Sequence, residues 1–328
     1  MATLCQESLV NLEALHVQAA RAEVVTWQGR QALRLEDGLA LIADSQTEDG
    51  SIELFVGVEG PAYPGIAFRV ADVRNFELAY ATPHASGQWD ALQYDPVFHG
   101  SNTWQIYHSP SYQRAAQVPI GSWFRFKVAF CANRAAISVD DQPPLVVERL
   151  ARPVAEGMFG LWTYRPAYFC DLHASGCDEL DIPRGTIPGA ANDVVEAWFV
   201  EGYGVADCEA NGPINVNRYL PLSMGSVRLT RQFEMLSTSE IAFQFGFSDA
   251  LSLELDGEVI FEGERLFKGF ADRRARGYAE VGEHSLQQVV RAGLHRLTAV
   301  LRVSEPFGWG LILAATGTGL HWLPVGLG

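Results

Sequence analysis

The sequence predicts an all-β protein built as two β-sandwich domains. Three observations carry this. Most segments alternate apolar and polar residues with a period of two, as half-buried strands do. Turn signals punctuate them at short intervals, as in EDGS (48–51), YPG (63–65), ANR (132–134) and DDQPP (140–144). Helical periodicity is scarce, the best candidates being ESLVNLEALH (7–16) and EHSLQQVVRAG (283–293). Many short strands with regular turns are the pattern of a sandwich.

Taken in order, GIAFRV (65–70) sets Ile66, Phe68 and Val70 against Ala67 and Arg69, and NFELAY (75–80) does the same with Phe76, Leu78 and Tyr80. WFRFKVAF (123–130) puts Phe124, Phe126, Val128 and Phe130 on one face, with Trp123, Arg125 and Lys127 on the other. Composition shifts at GCDELDIPRGTIPGAAND (176–193), which has little alternation and reads as a linker, assigned to 179–192. Strands then resume in VVEAWFVE, SVRLTRQFEML, EIAFQFGF, LSLELDGEVIFEG, HRLTAVLRV and WGLILAA. The expected domains are therefore 1–178 and 193–328.

Length and composition bound the function. The 328 residues suit about two domains. With 24 basic and 39 acidic residues the net charge is −15, a field that repels phosphate backbones and anionic membrane surfaces. Nucleic acid and membrane are therefore not expected partners; neutral or cationic ligands remain. Only Lys127 and Lys268 are lysines, so lysine-based covalent chemistry has few candidates. No P-loop and no H-E-x-x-H occurs. The start, MATLCQESLVNLEAL, lacks a basic region followed by an apolar run, so a cytoplasmic location is expected, with the five cysteines as free thiols.

The stretch WDALQYDPVFHGSNTWQIYH (89–108) is the chemical oddity. Five of its twenty residues are aromatic, and it has two His, two Asp and no Lys or Arg. If TWQIYH is regular strand, Thr103, Gln105 and Tyr107 share one face and Trp104, Ile106 and His108 the other.

GIAFRVADVRNFELAY, IGSWFRFKVAF, AAISVDDQPPLVV and GMFGLWTYRPAYFCDL, in that order, resemble the concanavalin A-like lectin/glucanase sandwiches. The resemblance is closest to the laminin-G-like and keto-disaccharide-hydrolase-like branch found in bacteria. LSLELDGEVIFEG followed by VVRAGLHRLTAVLRV and WGLILA is similar to the galactose-binding-like jelly roll. The first resemblance implies a sheet whose outer face binds sugars; the second implies a binding or packing module. Sugars present apolar C–H faces to rings and hydroxyls to polar side chains. On that basis Arg69, Trp89, Tyr94, His99, Trp104, Gln105 and Tyr107 are the expected ligand-binding set, for a carbohydrate or sugar-derived small molecule. The alternative is a long hairpin whose rings pack over the sandwich edge or against the second domain.

A glycosidase needs two carboxylates roughly 5–9 Å apart. Asp90, Asp95 and Glu77 are the candidates, with His84 or His99 as acid–base partner; an Arg69–Glu77 ion pair is the plainer reading of Glu77. The E-x-D-x-x-E motif of laminarinase-type enzymes is absent. Cys170, His173 and Cys177 have an atypical spacing for zinc, and alternation separates Cys170 from His173. No cofactor is required. Calcium is common in both resembled folds, with Asp37, Asp44, Asp49, Asp140, Asp141 and Asp249 as available oxygens. RRARGY (273–278) with Arg265 is the one basic cluster, either an anion dock or a solvated loop. Three functions follow: a lectin-like binder, an enzyme acting on a modified sugar, and a structural or interaction module.

Overall fold

A computed structural model describes residues 3–178, 181–187, 189–190, 192–269 and 272–326. The chain forms two compact units. One comprises Met1–Val97 with Tyr107–Ile187, the other Phe98–Ile106 with Pro188–Gly328. Within the expected linker 179–192, Glu179, Leu180, Pro188 and Ala191 lie outside the described residues. The nine residues Phe98–Ile106, expected in the first domain, fall in the second unit. Among the described residues the regular structure is β-strand and short 3-10 turns, and no helix is long and apolar enough to cross a membrane.

The first unit contains β1 (Thr3–Glu7), β2 (Leu15–Trp27), β3 (Arg30–Ile42), β4 (Gly50–Gly57), β5 (Tyr63–Asp72), β6 (Asn75–Ala81), β7 (Leu92–Tyr94) and β8 (Gln113–Arg114). It continues with β9 (Phe124–Cys131), β10 (Arg134–Val139), β11 (Leu145–Val147), β12 (Met158–Tyr164) and β13 (Ala167–Ser175). All pairings are antiparallel, in the order β11-β10-β9-β4-β13-β3-β12-β5-β6-β7-β8, with β2 on β3 and β1 on β13. The long β3 joins two layers. Its first half pairs with β13 and its second with β12. The exchange falls at Asp37–Gly38, both at positive φ, where a Cβ on Gly38 would run into the β2 backbone.

The core lies between the layers. Phe124, Phe126, Val128 and Phe130 of β9 are buried together, as their alternation predicts, and Phe130 meets Phe68 of β5 at 4.7 Å between ring centroids. Phe68 is in register with Glu77, so Glu77 shares the inner face. Its neighbours Phe76, Leu78 and Tyr80 take the outer face, where they are themselves buried in a second cluster with Leu39, Leu41, Ala67, Val70 and Val97. Period two sorts residues into faces correctly, yet the apolar row turns out to be the outer one. GIAFRV is also interrupted. Arg69 is left-handed, φ 46°, and the register slips on both sides of it. This bulge sends Val70 to the outer face with Ala67 rather than inward with Phe68. The stretch ESLVNLEALH is not a helix; it contains the end of β1, one 3-10 turn at Leu12–Ala14 and the start of β2.

The second unit contains β14 (Ala197–Val200), β15 (Gly204–Asp207), β16 (Ile214–Asn215), β17 (Ser226–Met235), β18 (Ser239–Phe247) and β19 (Asp249–Leu255). It ends with β20 (Glu258–Arg265), β21 (His284–Val290), β22 (Gly293–Arg302), β23 (Gly310–Gly317) and β24 (Leu320–Trp322). One sheet runs β15-β14-β17-β22-β19-β20 with β24 on β17, the other β16-β23-β18-β21. Trp198, Leu229, Phe243, Phe245, Leu297 and Leu313 lie in the core. Asp256 and Gly257, both at positive φ, turn β19 into β20 as the Asp-Gly pair predicts. The expected helix over 283–293 is instead β21. Leu286 and Val290 fit either period, and pairing with β18 satisfies the backbone of the strand.

Candidate functional site

The expected ligand-binding set divides between the units. In the first, Tyr94 and Tyr107 are essentially unexposed and pack edge to face, with Tyr112 beside them. The Tyr94 hydroxyl donates to Glu77 Oε2 at 2.6 Å and accepts from the Ala151 amide. Glu77 Oε1 accepts from the Arg152 amide. Burial raises the Glu77 carboxyl, and burial together with that carboxylate raises the Tyr94 phenol well above its ordinary value. Arg69 is also buried; it donates to the Glu48 and Ala132 carbonyls and to Asp49 rather than to Glu77. Asp90 and Asp95 are buried, and Trp89 is half-buried.

In the second unit, TWQIYH is a run of turns rather than a strand, because Ile106 N–H closes back on the Thr103 carbonyl. Trp104 packs on Phe267, Tyr278 and Phe307. Gln105 is fully buried and donates to the Arg276 carbonyl and Glu305. His99 Nδ1 bonds the Asn217 carbonyl. Arg69, Tyr94, Gln105 and Tyr107 are thus buried within their own units, Trp89, His99 and Trp104 are half-buried, and the set is divided between the two units.

Burial pushes the Cys170 and Cys177 thiols up to about 11, the opposite of what a zinc thiolate needs, and His173 is exposed while Cys170 is buried. Among the described residues no three His, Cys, Asp or Glu side chains gather to hold a metal. Asp37, Asp44, Asp140 and Asp249 all have positive φ, Asp44 and Asp140 in turns, Asp37 within β3 and Asp249 at the start of β19. Asp49 accepts from Arg69 and the Ala132 amide, and Asp141 pairs with Arg125. In the basic cluster Arg265 pairs with Glu283, Arg273 with Glu280, and Arg276 is buried.

A different set does come together, on the outer face of β5, β6 and β12. Tyr63 is in register with Tyr164, and Trp162 with Gly65, which in turn is opposite Tyr80. These residues therefore share one face. Gly65 has no side chain, so the Trp162 and Tyr80 rings approach over it, with centroids 5.7 Å apart. Tyr63 meets Tyr80 and His84 edge to face and lies 5.8 Å from Tyr164. His84 comes from the 3-10 turn that follows β6.

The five rings grade from covered to open. Tyr80 is 7% exposed, Tyr63, His84 and Trp162 are half-buried, and Tyr164 is 51% exposed. Neither the Trp162 indole N–H nor the Tyr164 hydroxyl makes a hydrogen bond within the described residues. Gln18 of β2 stands exposed on the same face, since it pairs with Leu39 and Leu39 pairs with Trp162. The Arg165 guanidinium lies 5.5 Å from the centre of the Tyr164 ring. Chemically this is a stacking platform with donors at its margin. Tyr80 lies in NFELAY and Trp162 and Tyr164 in GLWTYRP, which alternate, whereas Tyr63 stands in YPG, which reads as a turn, and His84 follows β6. The available signal was the spacing of two between Trp162 and Tyr164; the cross-strand register that unites the cluster is not written locally.

The chain matches no protein-family model and no curated protein. Among solved structures it is similar to a carbohydrate-binding module, CBM66 from Bacillus subtilis, at 16% identity and TM-score 0.38, over 48% of this chain and 94% of that one. It is similar also to a galectin-like protein of unknown function from Bacillus subtilis, at 11% identity and TM-score 0.40, over 54% and 96%. A third likeness is to a prokaryotic β-1,3-1,4-glucanase (lichenase) derived from a mouse hindgut metagenome, at 9% identity and TM-score 0.39, over 54% and 100%.

Proposed function

We propose that the chain is a carbohydrate-binding protein that takes its ligand on the outer face of β5, β6 and β12. The observation that carries this is the five-ring cluster, in which Tyr164 is exposed and Trp162 half-buried while Tyr63, Tyr80 and His84 brace them. A sugar ring laid on Trp162 and Tyr164 covers apolar C–H groups. Its hydroxyls meet the free indole N–H, the Tyr164 hydroxyl and the Gln18 amide. Bracing matters because rings held before binding lose little freedom on contact. The reading is of binding without chemistry and calls for no cofactor. Glu77, Asp90 and Asp95, the candidates for a hydrolytic pair, are buried, and a buried carboxylate has no route to a glycosidic oxygen.

A glycan array followed by calorimetric titration tests the proposal. Trp162→Ala and Tyr164→Ala are each expected to weaken the best ligand about 10- to 100-fold, the range for removal of an aromatic anchor. Tyr203→Ala, an exposed ring in the second unit, serves as the control and is expected to change nothing. Neutral-glycan binding that survives both platform variants, or the absence of any neutral glycan ligand, overturns the assignment.

A further inference from the structure

The other layer of the first unit carries a depression of a different kind. A cleft of about 330 Å³ opens on the outer face of β4, β9, β10 and β13. Its floor is made of small residues. Ser175, Ser51, Ala129 and Ala136 form one row across the four strands, and Lys127 and Ser138 stand in the next. Such a floor sits a full side chain below the Leu or Val surface usual on a covered sheet. Cys177, Asp181 and Pro183 wall it on one side, and Asp141, Gln142 and Pro144 of the β10–β11 turn on the other. Ligand clefts run from about 300 to 1,000 Å³, so this one suits a single ring-sized molecule.

Its polar groups divide into engaged and free. Asp141 is neutralised by Arg125, Asp181 accepts from the Asp178 amide, and the Gln142 amide is tied to the Gln117 backbone. The hydroxyls of Ser51, Ser138 and Ser175 make no side-chain hydrogen bond within the described residues. Lys127, one of two lysines in the chain, forms no ion pair there although Glu53 is its cross-strand partner. By contrast Arg30, Arg34, Arg125 and Arg134 of the same layer are each paired with a carboxylate. One unpaired ammonium beside three free hydroxyls, in a chain of net charge −15, is a defined chemical requirement.

We propose that this cleft is a second binding site, for a small polyhydroxylated molecule bearing one carboxylate, of the uronic-acid class. The carboxylate meets Lys127, the hydroxyls meet the three serines, and the C–H face rests on Ala129 and Ala136. A neutral sugar could use the serines alone. The site is independent of the aromatic face, and so is its test.

Calorimetry and saturation-transfer NMR on the full chain would use the methyl glycosides of glucuronate, galacturonate and mannuronate, each beside its neutral parent sugar. At least one acid is expected to bind ten-fold or more tightly than its parent, and more weakly as salt rises. Lys127→Gln is expected to abolish that preference, Lys127→Arg to retain part of it, and Trp162→Ala to leave it intact. Unchanged thermal midpoints of the variants exclude misfolding as the cause. The proposal is overturned if no acid binds, if acid and parent bind alike, or if the preference survives Lys127→Gln. None of these outcomes bears on the aromatic face, which stands or falls with Trp162 and Tyr164.

Discussion

Asp249 shows what a single buried group does to the whole. It is unexposed, accepts the Glu305 amide at 3.0 Å through Oδ1, and leaves Oδ2 buried without a partner. Burial pushes its carboxyl up to about 7. The folded chain thus favours the neutral acid, while the unfolded chain ionises near pH 4. That contribution to stability is complete below pH 4 and is lost as pH rises through about 7. Asp249→Asn, which keeps an acceptor and tolerates the left-handed backbone, is expected to gain about 1 to 3 kcal/mol at pH 8 relative to pH 4. Urea titrations of both proteins across that range measure it; parallel pH profiles refute it. Residues of this kind were the least legible in sequence. Asp249 reads there as an available oxygen for calcium and Glu77 as a partner for Arg69. Alternation says which side chains share a face, but not which face is covered.

Among the elements, the bulge in β5 decides where the outer aromatic face begins. Gly157 makes room for it: a Cβ there would lie 2.6 Å from the Arg69 carbonyl carbon and 2.7 Å from the Val70 nitrogen. Gly157→Ala is expected to cost about 1 to 3 kcal/mol through overpacking against rigid backbone. Gly60→Ala, which meets nothing within 4 Å, should stay within about 0.5 kcal/mol of the parent. Equal denaturation midpoints for the two would dismiss the bulge's role. Strands were the most legible level. WFRFKVAF, LSLELDGEVIFEG and EIAFQFGF form as their alternation and Asp-Gly turn indicate. The failures were segments such as HSLQQVV, whose apolar residues satisfy two periods at once, so that only the neighbour β18 decides.

For the whole molecule, the all-β class could be read from the chain, and the two compact units change over at Ile187–Pro188, inside the stretch 176–193 where the composition shifts. The assignment of Phe98–Ile106 to the second unit could not be read, because it depends on contacts with residues more than 150 positions later. Asn102 bridges to Phe307, Ser101 donates to the Pro306 carbonyl, and the Ala279 amide donates to the Gln105 carbonyl. The fragment 188–328 therefore lacks a strip of its own interior. It is expected to show weaker near-ultraviolet dichroism and a lower, broader thermal transition than the full chain, with Trp104→Ala in the full chain moving part of the way. A fragment as cooperative as the parent would count against this.

That discontinuity also sets a timetable. On the ribosome, Phe98–Ile106 emerges long before the residues that will enclose it, while everything the first unit needs has been made by Ile187. At about 5–20 residues per second, the stretch from Pro188 to Gly328 takes roughly seven to thirty seconds to synthesise. During that interval Phe98, Trp104 and Ile106 are apolar side chains awaiting their partners, and the nascent chain is most open to chaperones and to self-association.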